Sequence, residues 1–226
     1  TVTGGGGQLG ATHSQSFEGW FASVPGLHVV VPSDPYDALG LLRTAVADNN
    51  PVIFAEHAKL YQVRGEVPEE HYTIPFGAAK IKRSGSDVTL VGYSRTVSTA
   101  LDAAEILAER GVDAEVVDLR TLRPLDVETV VDSVRKTNRI VIIEEGWKTG
   151  GFAGELVSRV QEEAFDDLDG ASMGTADPYL YTVCRWWIKL GHNFDGYESI
   201  PGFLKNMESR TSVQKTLAVE GLEPIA

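Results

Sequence analysis

His13 is the side chain best placed to do chemistry. It follows Gly4–Gly7 and Gly10 and precedes Ser14-Gln15. Glycines let backbone come close to a ligand, and an imidazole can pass a proton to or from a carbanion or enolate near neutral pH. A histidine that only holds a loop by hydrogen bonds would give the same local sequence. Ala45–Asn50 is the second candidate, because helix ends leave carbonyls unpaired at the negative end of the dipole. Asp48 and Asn50 add oxygens there, which suits either a hard cation or a plain capped helix end. Arg120 and Arg123 could bind a carboxylate or phosphate, stitch a subunit interface, or pair with nearby acids. Glu144 and Glu145 are adjacent, so a strand would point them to opposite sides and deny them a shared acid–base role. Gly4–Gly7 is no phosphate loop, since no GK[ST] follows. Trp147 reads as interface or core, and Cys184 as a buried structural thiol beside Trp186 and Trp187.

The elements that must carry these residues alternate. A strand is expected at His28–Val31 and a helix at Pro35–Asp48, with Asp34 as cap, Pro35 in the first turn and Ala38, Leu42 and Ala45 on its apolar face. Val52–Ala55 completes a strand–helix–strand unit, which implies parallel pairing. Glu66–Pro75 is acidic and proline-bearing and reads as a linker. The pattern then resumes. Phe76–Lys82 is an edge strand and Val88–Val91 a short buried one. A helix capped by Ser94 carries Val97, Leu101, Ala104 and Leu107 and stops at Gly111. Ala114–Val117 is a strand, Asp126 caps the next helix, and Ile140–Ile143 is a strand covered on both faces. Gly150-Gly151 leads into a last helix through Ala153, Leu156, Val157 and Val160. This order predicts a three-layer α/β sandwich with a mostly parallel sheet, preceded by part of a second α/β domain.

After Asp169 the alternation stops. Tyr179, Leu180, Val183, Trp187 and Leu190 make one helical stripe, Ile200, Phe203, Leu204 and Met207 a second, and Val213 with Leu217 a third. A join is therefore expected near 169–174, followed by an all-helical tail. Charge changes at the same place: residues 1–170 hold 26 acidic and 15 basic side chains, the remainder 6 and 5. The net charge of −12 argues against nucleic acid and anionic membrane as partners. A single cysteine excludes an intrachain disulfide and points to a reducing, cytoplasmic setting. No apolar run approaches the roughly 20 residues a membrane span needs.

HSQ at 13–15, DLRTLRPLD at 118–126 and EEGW at 144–147 resemble the beta subunit of the thiamine-diphosphate-dependent 2-oxoacid dehydrogenase first component, most of all the pyruvate type. The resemblance implies a transketolase C-terminal-like domain over 76–170, a partial pyrimidine-binding domain over 1–65 and a linker at 66–75. It implies that His13 stands near the reactive carbon of thiamine diphosphate. It also implies a potassium site whose ligands are Ala45, Val46, Asp48 and Asn50, mostly through backbone carbonyls. The implied activity is oxidative decarboxylation with acyl transfer to a lipoyl-bearing acyltransferase. The implied partner is an alpha subunit that holds magnesium and diphosphate, in a homo- or hetero-oligomer. Thr1-Val2-Thr3 reads as a cut start, and the glutamate that such proteins use to activate the aminopyrimidine has no counterpart here. No decarboxylation is then expected from this chain alone. In the tail, ADPYLYTVCRW at 176–186 and AVEGL at 218–222 resemble the C-terminal helices of a bacterial glutathione transferase, giving a segment at 171–226. Two alternatives stand beside the enzyme-subunit reading: a non-catalytic or composite chain acting as an assembly module, and a glutathione transferase.

Overall fold

The computed structural model describes residues 1–7, 10, 12, 14–168, 188, 193–194, 199–209, 213–214, 217–218 and 223–224. The chain divides into two compact units, Thr1–Asp167 and Leu168–Ala226.

Three sheets build the first unit. Strand β1 (Val2–Thr3) pairs in parallel with β4 (Glu56–His57), and β2 (His28–Val30) in parallel with β3 (Val52–Phe54). The largest sheet runs β5 (Lys80–Arg83), β7 (Ala114–Asp118), β6 (Val88–Gly92), β9 (Ile140–Ile142), with β5 antiparallel and the other three parallel. The helices of this unit are α1 (Glu18–Ala22), α2 (Pro35–Ala47), α3 (Thr96–Ala108), α4 (Val127–Thr137) and α5 (Ala153–Ala164). Asp34 and Asp126 cap α2 and α4 as their positions predict, accepting from the amides of Asp37 and Thr129.

Alternation along β6 and β7 shows the three layers directly. Leu90, Ala114 and Val116 pack on Val97, Ala100 and Ala104 of α3. Their neighbours Thr89 and Glu115 point the other way, where Thr89 bonds Ser133 and Thr137 and Glu115 accepts from Ser133 and Lys136, all on α4. Helices therefore cover both faces.

Three expectations change. Ser94 does not cap α3: it is buried with φ 52°, Arg95 holds the cap position, and the Thr96 hydroxyl takes up the Tyr93 amide instead. Strand β9 is not covered on both faces: Val141 is about half exposed, and among the described residues the strand stands at the edge of its sheet. The run at 118–126, between the strand ending at Val117 and the helix capped by Asp126, carries an element of its own. Its Thr121–Arg123 forms a short strand, β8, antiparallel to β2, so the chain's second half completes a sheet of the first. Within the segment expected as a linker, Ile74 is buried against Val30 and Leu41, and Tyr72 stacks on Tyr36.

A buried ion cluster joins the same two halves. Lys82 on β5 meets Asp34 and Asp37 at 2.6 Å each and Asp118 at 3.4 Å, while Arg120 meets Asp37 at 2.5 Å. Ser33 donates to Asp118 at 2.5 Å. Burial pushes the Asp118 carboxyl up to about 6, against the pull of Lys82 and Ser33. The folded state therefore holds this proton more tightly than the unfolded chain. Its contribution to stability is complete below about pH 3.8 and is lost as pH rises to about 6. Asp34 runs the opposite way: burial raises its carboxyl, but the Asp37 amide and Lys82 together bring it below the usual value. Comparison with Asp118→Asn cancels that opposing group. The stability of Asp118→Asn relative to wild type should climb between about pH 4 and pH 6 in urea unfolding. Parallel profiles across that window would remove Asp118 as the titrating group.

In the second unit one helix is described in full, α6 (Ser199–Ser209), where the second tail stripe was expected. Leu204 and Met207 are buried there with Ile188, Phe194, Ile200, Phe203 and Val213. The stripe at 179–190 lies outside the described residues except for Ile188, and Cys184 lies outside them as well. Among the described residues no helix is long and apolar enough to cross a membrane.

Candidate functional site

The carboxyl ends of two sets of parallel strands meet around one cleft. Gly4–Gly6 follow β1 and His57 ends β4; Tyr93–Arg95 follow β6 and Glu144–Trp147 lie just beyond β9. Parallel sheets place ligand sites at such ends. The cleft is open, holds about 520 Å³, and is lined by Gly5, Gly6, Ser14, Gln15, Ser16, Arg95, Glu145, Gly146 and Trp147.

Its innermost support is His57, which is 3% exposed. The Lys59 amide donates to His57 Nδ1 at 3.1 Å, so the ring hydrogen sits on Nε2 and is donated to Glu145 Oε2 at 2.6 Å. Arg95 donates to the other oxygen of Glu145 at 3.1 Å. Gly4, at φ +86°, lies against the imidazole so closely that a Cβ there would stand 2.0 Å from its Cδ2 and Nε2. The same glycine donates its amide to the Gln15 carbonyl at 3.1 Å. The glycine run thus brings backbone close to a side chain of the chain itself.

A second group of acids lies beneath. Glu18 is buried and bonded by the Thr3 hydroxyl. Burial raises its carboxyl, and the Thr3 bond and the nearby His57 pull against that shift. The Tyr93 hydroxyl is pushed up by burial and by the charges of Glu18 and Glu144, and it donates to Glu144 at 3.4 Å. Glu144 also accepts the Ala153 amide at 3.2 Å, at the start of α5. The adjacent glutamates lie beyond β9 rather than on a strand, and they divide their work: Glu144 serves a helix start and Glu145 serves the cleft. Trp147 is half exposed and packs with Phe17 and Trp20 at centroid distances of 5.9 and 6.1 Å, forming an aromatic rim.

His13 lies outside the described residues, while Ser14 and Gln15, which follow it, line the cleft. Ala45, Val46, Asp48 and Asn50 come together at the end of α2 and do not line the cleft. One Asp48 oxygen accepts from the Asn50 amide and side chain at 2.7 and 2.8 Å, which lowers its carboxyl; the other stands 3.5 Å from His28 Nδ1. Arg120 pairs with an acid, Asp37, as its third reading has it, whereas Arg123 donates to the Ala22 backbone carbonyl at 3.0 Å. Sequence reading missed His57 and Arg95. Neither has a local pattern that marks it: only the folded chain places each at the carboxyl end of a parallel strand. Among the described residues, no three His, Cys, Asp or Glu side chains gather to hold a metal ion.

Residues 1–64 match the pyrimidine-binding domain of transketolase and residues 77–178 its C-terminal domain. The mitochondrial pyruvate dehydrogenase E1 component subunit beta of Dictyostelium discoideum is 48% identical over 165 residues, covering 71% of this chain and 46% of that protein. The acetoin:2,6-dichlorophenolindophenol oxidoreductase subunit beta of Bacillus subtilis is 50% identical over 169 residues, covering 75% and 49%. A solved structure described as a split gene transketolase, inactive beta4 tetramer, is similar with a TM-score of 0.60 and 28% identity, covering 72% of this chain and 52% of that one. The chain spans about half the length of the curated relatives it matches.

Proposed function

Because this chain carries the pyrimidine-binding and C-terminal domains of the transketolase family, we propose that it serves as beta-subunit sequence of a 2-oxoacid dehydrogenase first component of the pyruvate type. The observation that carries the reading is the cleft itself, where the run after His13 faces Arg95, Glu145 and Trp147. Its volume falls in the range of about 300–1,000 Å³ usual for cofactor sites, and hydroxyl, amide and guanidinium groups beside an aromatic ring suit a polar heterocycle such as thiamine diphosphate. That cofactor supplies a nucleophilic carbon and an electron sink for decarboxylation. His13 moves the proton, Ser14 and Gln15 contact the bound groups, and the rim of Phe17, Trp20 and Trp147 limits water. Magnesium and diphosphate fall to an alpha subunit, with which this chain forms an oligomer. The acyl group then passes to a lipoyl-bearing acyltransferase. The end of α2, with Ala45, Val46, Asp48 and Asn50, supplies oxygens to a potassium ion. We assign 1–65 to the pyrimidine-binding domain, 66–75 to a linker, 76–170 to the C-terminal domain, and the chain to the cytoplasm.

One finding favours a second substrate. The acetoin oxidoreductase subunit is as similar to this chain as the pyruvate subunits are. The test is reconstitution of a full-length beta subunit carrying this sequence with the alpha subunit, thiamine diphosphate and magnesium, with 2,6-dichlorophenolindophenol as electron acceptor. Pyruvate-dependent dye reduction is expected, falling at least about 100-fold in His13→Ala, with none from the chain lacking the alpha subunit. Turnover of acetoin in place of pyruvate would reassign the substrate, and turnover of neither would end the proposal.

In the tail α6 and its apolar face show an amphipathic helix and nothing particular to a glutathione transferase, and no glutathione chemistry is assigned to it. The match to the C-terminal domain runs to residue 178, past the join expected near 169–174.

A further inference from the structure

Resting on the reading of the cleft given above, we propose that His57 is a positioning residue for it, acting through Glu145 on Arg95 and through Gly4 on the run after His13. His57 lines no part of the cleft, and both ring nitrogens are engaged, Nδ1 by the Lys59 amide and Nε2 by Glu145. Glu145 lies in the cleft wall, but its two oxygens are taken by His57 and Arg95. It is thereby an orienting group. The side chain it orients is Arg95, 40% exposed and lining the cleft, whose guanidinium carries five donors. On the opposite wall the imidazole sits under Gly4, whose amide holds the Gln15 carbonyl. One buried ring therefore sets two walls, one through Glu145, 88 residues along the chain from it, and one through Gly4. A carboxylate–imidazole pair that fixes a third side chain works by geometry, and geometric errors near 1 Å can cost about 100-fold in rate.

The test compares His57→Phe, which keeps a ring beneath Gly4 but removes both polar atoms, with His57→Gln, which keeps a donor toward Glu145. In the full chain, two-bond proton–nitrogen spectra should show the His57 hydrogen on Nε2. The Arg95 Nε–H signal should move in His57→Phe and stay in place in His57→Gln. In the complex with the alpha subunit, His57→Phe should raise KM for pyruvate about 10-fold with kcat changed less than about threefold, and His57→Gln should restore KM to within about threefold. An Arg95 signal and a KM that are the same in His57→Phe as in wild type would overturn the proposal, as would a glutamine variant as impaired as the phenylalanine one. If His57→Phe does not fold, Glu145→Gln decides in its place: the same rise in KM supports the proposal, and an unchanged KM overturns it. A wild-type complex that turns over no pyruvate removes the functional reading, and the Arg95 signal alone then decides the role of His57.

Discussion

Replacing Asp37 by alanine is expected to destabilise the Thr1–Asp167 unit by about 3–5 kcal/mol, the usual cost of removing one partner from a buried ion pair. Asp37 is fully buried and bonds both cations of the cluster, Lys82 at 2.6 Å and Arg120 at 2.5 Å. Lys82 would keep Asp34 and Asp118, but Arg120 would lose the carboxylate that balances it, and its Nε is already buried without a partner. The loss also spreads across the fold. Asp37 lies in the first turn of α2, Lys82 on β5, and Arg120 just after β7, so one carboxylate ties together segments from both halves. Asp37→Asn keeps the shape and one acceptor and should cost less, about 1–3 kcal/mol. Urea unfolding checks both, and for a unit of this size the alanine variant should melt about 10 °C lower. An alanine variant within about 1 kcal/mol of wild type would mean that the two cations find water, and that the cluster is not what holds the halves together.

What could be read from the sequence divides by range. Asp34 and Asp126 were legible because a cap bonds an amide three residues on, and Val97 with Ala104 because the helix period is local, though Ala100 is buried more fully than the expected Leu101 and Leu107. Arg120, Thr121 and Arg123 were not. Their strand exists only because β2 offers an unpaired edge some 90 residues earlier, and the buried face of Arg120 only because Asp37 is there. Ser94 misled for a related reason: the sharp turn after β6 takes it to a left-handed conformation, where its hydroxyl cannot reach the helix amides. In the site, Ser14 and Gln15 line the cleft directly after His13, the residue the sequence singles out. His57 was overlooked because a histidine closing a short strand has no local pattern that distinguishes it from a surface residue. Its partners are Glu145 and Gly4, and only the folded chain brings them to it.

Gly4→Ala carries the other large expected effect, because it sets a backbone requirement and a contact at one position. A residue with φ near +86° pays roughly 1–2 kcal/mol when it gains a Cβ. Gly26, at φ +85° with nothing within 4 Å of its would-be Cβ, measures that backbone cost alone. At Gly4 the new Cβ would overlap the His57 ring at 2.0 Å, so the imidazole must leave its place between Lys59 and Glu145. Gly4→Ala should therefore destabilise by about 2 kcal/mol more than Gly26→Ala, within the range for overpacking a filled interior. The decisive measurement is the double variant with His57→Ala, since removing the ring opens the space that the new methyl needs. Its loss should be smaller than the sum of the two single losses by at least about 1 kcal/mol, as expected for residues in direct contact. Strict additivity would show that the ring and the glycine do not meet, and with that the link from His57 to the Gln15 wall would fail, while its link through Glu145 to Arg95 would stand or fall separately.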